Sequence, residues 1–282
     1  GFVPSGFFPD SSRPQFVVDY WLSEGSDIRE VSKDLEGVEK WVAELDGVTH
    51  VTSITGMGAL RFILTYNPES PSASYGQLLV DVADFRKIPE LINTIQDRLD
   101  NEYPDAQAKA WKFVLGPGGG SKIQASFRGT DPNVLRELSE QAKQIYNEEP
   151  DAIAVKDDWR ERTKVVRPVF DEARARRAGV TLADMNNALQ TTFTGSQVGI
   201  YREREMLIPI VSRLPENERR QIDNIQDVQV YSLLSGRYIP LEQVASAFPT
   251  VFENAMIRRV DRFPTIKAQC DPRAGILASE VF

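Results

Sequence analysis

The pattern that most limits how this chain can fold is one that begins twice. Residues 15–22 alternate, with Phe16, Val18, Tyr20 and Leu22 on one side, as a half-buried strand does. A helix then runs from a Ser26 cap to about residue 45, with Ile28, Val31, Leu35, Val38 and Val42 at helical spacing and Gly47 ending it. Residues 48–55 and 61–66 read as strands around Gly56-Met57-Gly58-Ala59-Leu60, and residues 77–83 as another strand. A second helix spans 88–102, with Leu91, Ile92, Ile95 and Leu99 on one side, and a strand over 108–115 closes the set. Gly116-Pro117-Gly118-Gly119-Gly120 breaks the pattern, which then restarts: strand 122–128, helix from Asp131-Pro132 to about 147, strand 153–157.

The order β-α-β-β-α-β is the split βαβ, ferredoxin-like arrangement, here with an extra strand. Its helices cover one sheet face and leave the other for something else. The second copy is incomplete after residue 157, and its missing part reads as strands 253–260 and 265–271 with a helix starting over 275–282. The expected fold is therefore α+β, with two split βαβ units in tandem. The first occupies 1–117 and the second 118–159 with 249–282, interrupted by an inserted α+β subdomain over 160–248 that has its own helix at 181–192. The glycine run reads as a hinge, since no Lys-Ser/Thr closes it as a phosphate loop requires. Gly1 is not Met, and Ser279-Glu280-Val281-Phe282 stops inside a helix start, so the sequence reads as a piece of a longer chain.

Net charge −8 argues against a nucleic-acid partner. No apolar run reaches the roughly 18–20 residues of a membrane span. A single histidine, His50, leaves no Ser–His–Asp or Cys–His set, so the chain is expected not to be an enzyme and to need no cofactor. His50 reads as a satisfied structural residue and Cys270 as a buried thiol. Asp157-Asp158 could hold a hard cation but reads better as a solvated turn. The run Arg174, Arg176, Arg177 follows Asp171 and Glu172 and reads as a salt-bridged helix face.

Seven short motifs occur in one order along the chain. They are Phe7-Phe8-Pro9-Asp10, Leu22-Ser23-Glu24-Gly25-Ser26, Thr55-Gly56-Met57-Gly58, Lys156-Asp157-Asp158-Trp159-Arg160-Glu161-Arg162, Ala175-Arg176-Arg177-Ala178-Gly179-Val180-Thr181, Ile239-Pro240-Leu241-Glu242-Gln243-Val244-Ala245 and Ile257-Arg258-Arg259. Together they resemble the second large periplasmic loop of resistance–nodulation–division multidrug transporters of the acriflavine-resistance type. The resemblance implies two porter subdomains and a docking subdomain of a homotrimeric, proton-driven exporter in a bacterial inner membrane. Amphipathic drugs or bile-salt-like compounds would pass the porter cleft, and the docking part would meet a periplasmic adaptor and an outer-membrane channel. The isolated chain is expected to be a monomer.

Carried over by position, the resemblance places cargo contacts of the first subdomain at Val17, Asp19, Thr52, Ile54 and Leu64. Its switch loop falls on Gly56, Met57, Gly58, Ala59 and Leu60, with Met57 and Leu60 as its bulky groups. In the second subdomain the contacts fall on Lys122, Gln124, Ser126, Lys156, Asp158, Lys267 and Gln269. Strand alternation agrees for 122–128, because Ile123, Ala125 and Phe127 would face the helix. The family's cleft carries several Phe where this chain has Thr, Ile, Leu, Lys or Gln, and the switch loop is shorter. A more polar cleft follows, and Lys122, Arg128, Lys156 and Lys267 suit amphipathic anions. Two other readings stand beside this one: a ligand-sensing tandem ferredoxin-like module, and a metal-ion or protein-translocation branch of the same superfamily. The four methionines (57, 185, 206 and 256) are too scattered to suggest a metal cluster.

Overall fold

The computed structural model describes residues 11–116, 120–219 and 222–281. Phe7-Phe8-Pro9-Asp10 and the centre of the glycine run expected as a hinge, residues 117–119, lie outside the described residues. The chain divides into two compact units, Gly1–Thr163 with Glu253–Phe282, and Lys164–Phe252.

The first unit opens with β1 (Gln15–Trp21), α1 (Ile28–Ala43), β2 (Val48–Thr55), β3 (Tyr75–Val82), α2 (Ile88–Glu102) and β4 (Gln107–Lys112). The strands lie in the order β2-β3-β1-β4, every neighbouring pair antiparallel, which is the split βαβ order. Asp27, one residue after the expected Ser26, caps α1, its carboxylate accepting the Arg29 N–H at 2.9 Å. Val31, Leu35, Val38 and Val42 then pack with Leu91, Ile92, Ile95 and Leu99 of α2 onto Phe16, Val18 and Tyr20. Gly76 of β3 permits this approach, since a Cβ there would lie 2.2 Å from Leu35 Cδ1. Ile28 departs from the stripe: it is 43% exposed at the helix start, beside Gly56.

The expected strand over 61–66 does not form. Residues 56–74 make one long loop, and the alternation there is broken because Tyr66 turns into the fold while Leu64 is 84% exposed. The sheet therefore has four strands, without the extra one.

The restarted pattern gives β5 (Ile123–Arg128), α3 (Pro132–Glu148) and β6 (Ala152–Asp157). The chain continues through β7 (Arg162–Val166), β8 (Val169–Phe170), α4 (Glu172–Ala178), α5 (Leu182–Phe193), β9 (Ser196–Glu203), β10 (Met206–Ser212), α6 (Glu216–Arg219), β11 (Gln229–Ser232), β12 (Arg237–Pro240), β13 (Ala245–Ala247) and β14 (Thr250–Asn254). It ends with β15 (Arg259–Val260), β16 (Phe263–Pro272) and α7 (Ala278–Val281). The stretch expected as one strand, 253–260, is split between the end of β14 and β15, with irregular backbone between them. β16 lies between β5 and β6, antiparallel to both, which is the first-third-second strand order of another split βαβ.

The second unit packs Val180, Met185, Val230, Leu241 and Val244 into its own core. Its α5 begins in a Thr181/Asp184 capping box. None of the described helices is long and apolar enough to cross a membrane.

Candidate functional site

The sheet faces turned away from the helices carry the expected contact positions, and register decides what shares them. In the first sheet Ile54 pairs with Gln77, Gln77 with Asp19 and Asp19 with Lys109. Thr52 pairs with Leu79, Leu79 with Val17 and Val17 with Trp111. Directly paired residues in a sheet share a face, so Val17, Asp19, Thr52 and Ile54 stand in two adjacent rows. In the second sheet Gln124, Gln269 and Lys156 form one row, and Ser126 pairs with Lys267 in the next. Lys122 is exposed at the start of β5, and its N–H donates to Asp271 at 3.0 Å.

The first face is covered. The loop 56–74 folds onto it, placing Ala59 and Tyr66 against Val17 and Phe113, with Ile54 and Trp111 beside them. Val17 is therefore fully buried, whereas Met57, Leu60 and Leu64 of the loop are exposed. Thr52 is exposed on β2, and Ile54 is half-buried beside the loop.

Beneath the loop, Asp19 accepts hydrogen bonds from Tyr75 Oη at 2.5 Å, Gln77 Nε2 at 2.9 Å and Trp111 Nε1 at 2.6 Å. Gln77 Oε1 in turn accepts the Ala59 N–H and the Tyr66 hydroxyl, both at 2.9 Å. Burial, with the nearby Asp19 charge, pushes the Tyr75 hydroxyl far above the ordinary tyrosine value, so it stays a donor.

Where β4 runs beside β6, the two βαβ units meet through charged groups. Lys109 Nζ lies 2.6 Å from Asp271 Oδ2, an ion pair made outside hydrogen-bond geometry, with the two side chains 17% and 7% exposed. Arg160 bonds Glu24 at 3.1 Å and sits 3.4 Å over the Trp21 ring; Gln107 donates to Glu161. Lys156 points into this junction and has no hydrogen bond or ion pair among the described residues. Burial, and then the neighbouring Lys109, pull its ammonium below the ordinary lysine value against the opposite pull of Asp19 and Asp271.

The remainder of the Lys156–Arg162 motif is a set of anchors. Asp157 is not in a solvated turn: it is 4% exposed and takes Arg136 at 3.2 Å, Lys143 at 3.1 Å and the Trp159 N–H at 3.0 Å. Asp158 accepts the Lys267 N–H at 2.8 Å and stands 3.6 Å from Arg258, and burial raises its carboxyl above the usual range. Trp159 is fully buried and donates to the Thr265 carbonyl at 2.8 Å. His50, expected as a satisfied residue, is exposed on β2. Cys270 is fully buried, and its thiol is pushed up to about 11 by that burial.

Position-by-position reasoning missed Gln77, Tyr75, Tyr66, Trp111, Lys109 and Asp271. One signal could have found the first: Gln77 is a polar side chain directly ahead of the apolar run Leu78-Leu79-Val80 of β3.

Two split βαβ units in tandem, joined at a charged junction and interrupted by a long insert, define the class. The chain belongs to the AcrB/AcrD/AcrF family, whose model matches residues 1–282. It is 24% identical over 260 residues to the "Cation efflux system protein CzcA" of Alcaligenes sp. (strain CT14), across 86% of this chain and 24% of that protein. It is 26% identical over 167 residues to the "Cobalt-zinc-cadmium resistance protein CzcA" of Cupriavidus metallidurans, across 56% of this chain and 16% of that one. Two crystal forms of a heavy metal efflux pump share its fold, with TM-scores of 0.79 and 0.78 at 18% identity, over 98% and 97% of this chain and 28% and 29% of theirs. The chain thus spans about a quarter or less of the length of the curated relatives it matches.

Proposed function

We propose that this chain is the second large periplasmic loop of a resistance–nodulation–division exporter in a bacterial inner membrane. Its two βαβ units, residues 1–117 and 118–159 with 249–282, handle the cargo. The insert, 160–248, meets an adaptor and an outer-membrane channel in the homotrimeric transporter. The observation that carries this reading is the family match over the whole chain. The junction of the sheets supports it, because burial and the neighbouring Lys109 set Lys156 there against the ordinary preference of its ammonium. An ionisable group whose charge burial disfavours, placed at a face, is a candidate for binding rather than for stability.

For the cargo, the second sheet favours amphipathic organic molecules, acidic ones first. Lys122, Gln124, Ser126, Lys156, Lys267 and Gln269 offer donors and positive charge, while Asp158 is occupied by the Lys267 backbone. A divalent cation is the second reading, favoured by the names of the relatives. Asp19, Asp271 and Glu69 are the carboxylates near the junction, but Lys156 and Lys109 stand among them. Among the described residues, no group of three or more His, Cys, Asp or Glu is placed to hold a metal.

Efflux-deficient bacteria carrying the full-length gene separate the two. Raised tolerance to bile salts and acidic dyes, lost in Lys156→Met, supports the first reading. Raised tolerance to zinc, cobalt or cadmium with none to bile salts would replace it with the second.

A further inference from the structure

Gln77, the third residue of β3, is 1% exposed. A side-chain amide has two acceptor lone pairs and two N–H donors, and all four are in use here. Oε1 accepts from Ala59 N and Tyr66 Oη, both on the loop, and Nε2 donates to Asp19 Oδ1 and to Tyr75 Oη, both on the sheet. One amide therefore joins the loop to the strands.

The rest of the loop is tied together by its own backbone. Its base is tied by Gly56 N–H to the Tyr75 carbonyl at 2.7 Å and by Ser72 N–H to the Gly56 carbonyl at 2.9 Å. Its two limbs touch backbone to backbone, because a Cβ on Gly58 would lie 2.7 Å from the Glu69 nitrogen. Beyond these internal ties, the middle of the loop meets the sheet by packing Ala59, Ile63 and Tyr66 with Val17, Leu79 and Phe113, by ring contacts of Tyr66 and Phe62 with Phe113 and of Tyr66 with Trp111, and by its hydrogen bonds to Gln77, the one polar tie among these.

We infer that Gln77 is the positioning residue of this site: its amide pins loop 56–74 over β1 and β4, and breaking the pin uncovers Val17 and Asp19. The pin stands on geometry alone; its effect on cargo rests on the exporter reading above. Leaving Asp19 and the loop groups without their partner costs more than losing an exposed bond, so the pin is a strong single point of control.

The test is thiol labelling of Val17→Cys in the 282-residue chain, with and without Gln77→Met. Cys270, buried in β16, reports any general unfolding in the same sample. Residue 17 is expected to react at least about tenfold faster with a maleimide in the Gln77→Met background, with Cys270 unchanged. Equal rates at residue 17 overturn the pin. Should Gln77→Met unfold the unit, seen as Cys270 reacting too, Tyr66→Phe decides. That variant removes one of the four bonds, and faster reaction at residue 17 alone supports the pin, whereas none overturns it.

The same substitution in the full-length exporter, scored as the ratio of large to small cargo exported, reads the functional half. A changed ratio with changed labelling supports both claims. Changed labelling with an unchanged ratio keeps the pin and removes its role in transport.

Discussion

Asp271→Asn should loosen the junction of the two βαβ units, and its cost can be worked from the geometry. The substitution removes the charge that faces Lys109 at 2.6 Å while leaving an oxygen to accept the Lys122 N–H. Removing one partner of a fully buried pair costs about 3–5 kcal/mol, since the other charge stays buried without compensation. Lys109 is 17% exposed, so water recovers part of this. Against that, Lys156 is beside it, and the two ammonium groups repel. A net loss of about 2–3 kcal/mol follows. For a unit of roughly 200 residues, each kcal/mol lowers Tm by about 2–4 °C, so a fall of about 5–10 °C is expected. All four tryptophans (21, 41, 111 and 159) belong to the first unit, so intrinsic fluorescence melting follows that unit without the other. A shift below about 2 °C would refute the argument, placing the pair among those worth nothing measurable.

Other substitutions probe the remaining links. Lys156→Met should raise stability by about 1 kcal/mol at neutral pH. Its folded pKa lies below its unfolded value, so the cost is full below the folded value and fades as pH climbs through the interval between the two. Melting of wild type and Lys156→Met at pH 7 and pH 10 checks this, since the gap between them should narrow at the higher pH. Asp157→Asn should cost about 3–5 kcal/mol, because Arg136 and Lys143 lose their common carboxylate in a buried place; chemical denaturation of the same chain reads it. Gly76→Ala should cost about 1–3 kcal/mol by overpacking Leu35 against β3, visible as a lower fluorescence melting temperature.

The elements that could be read from the sequence are those where one periodicity runs unbroken. α2 has the expected bounds because Leu91, Ile92, Ile95 and Leu99 hold one stripe and Pro104 follows it. The strand expected at 61–66 failed for a tertiary reason: Tyr66 gains more by inserting beside Phe113 and bonding Gln77 than by pairing in a ladder at the sheet edge. Of the site, alternation alone placed Gln124 and Ser126 on the face away from α3. The cover over Val17 and the charge of Lys109 against Asp271 depend on contacts between residues far apart in sequence, about which local pattern says nothing.

The central claim is that this chain handles cargo for a proton-driven exporter, with Lys156 at the contact. Transport by the purified full-length protein in proteoliposomes, under an imposed proton gradient, tests it most directly. A bile-salt anion should move with the gradient and slow about tenfold or more in Lys156→Met, as expected for a lost charge contact. Zinc moving in its place, or anion movement indifferent to the gradient, would contradict the account.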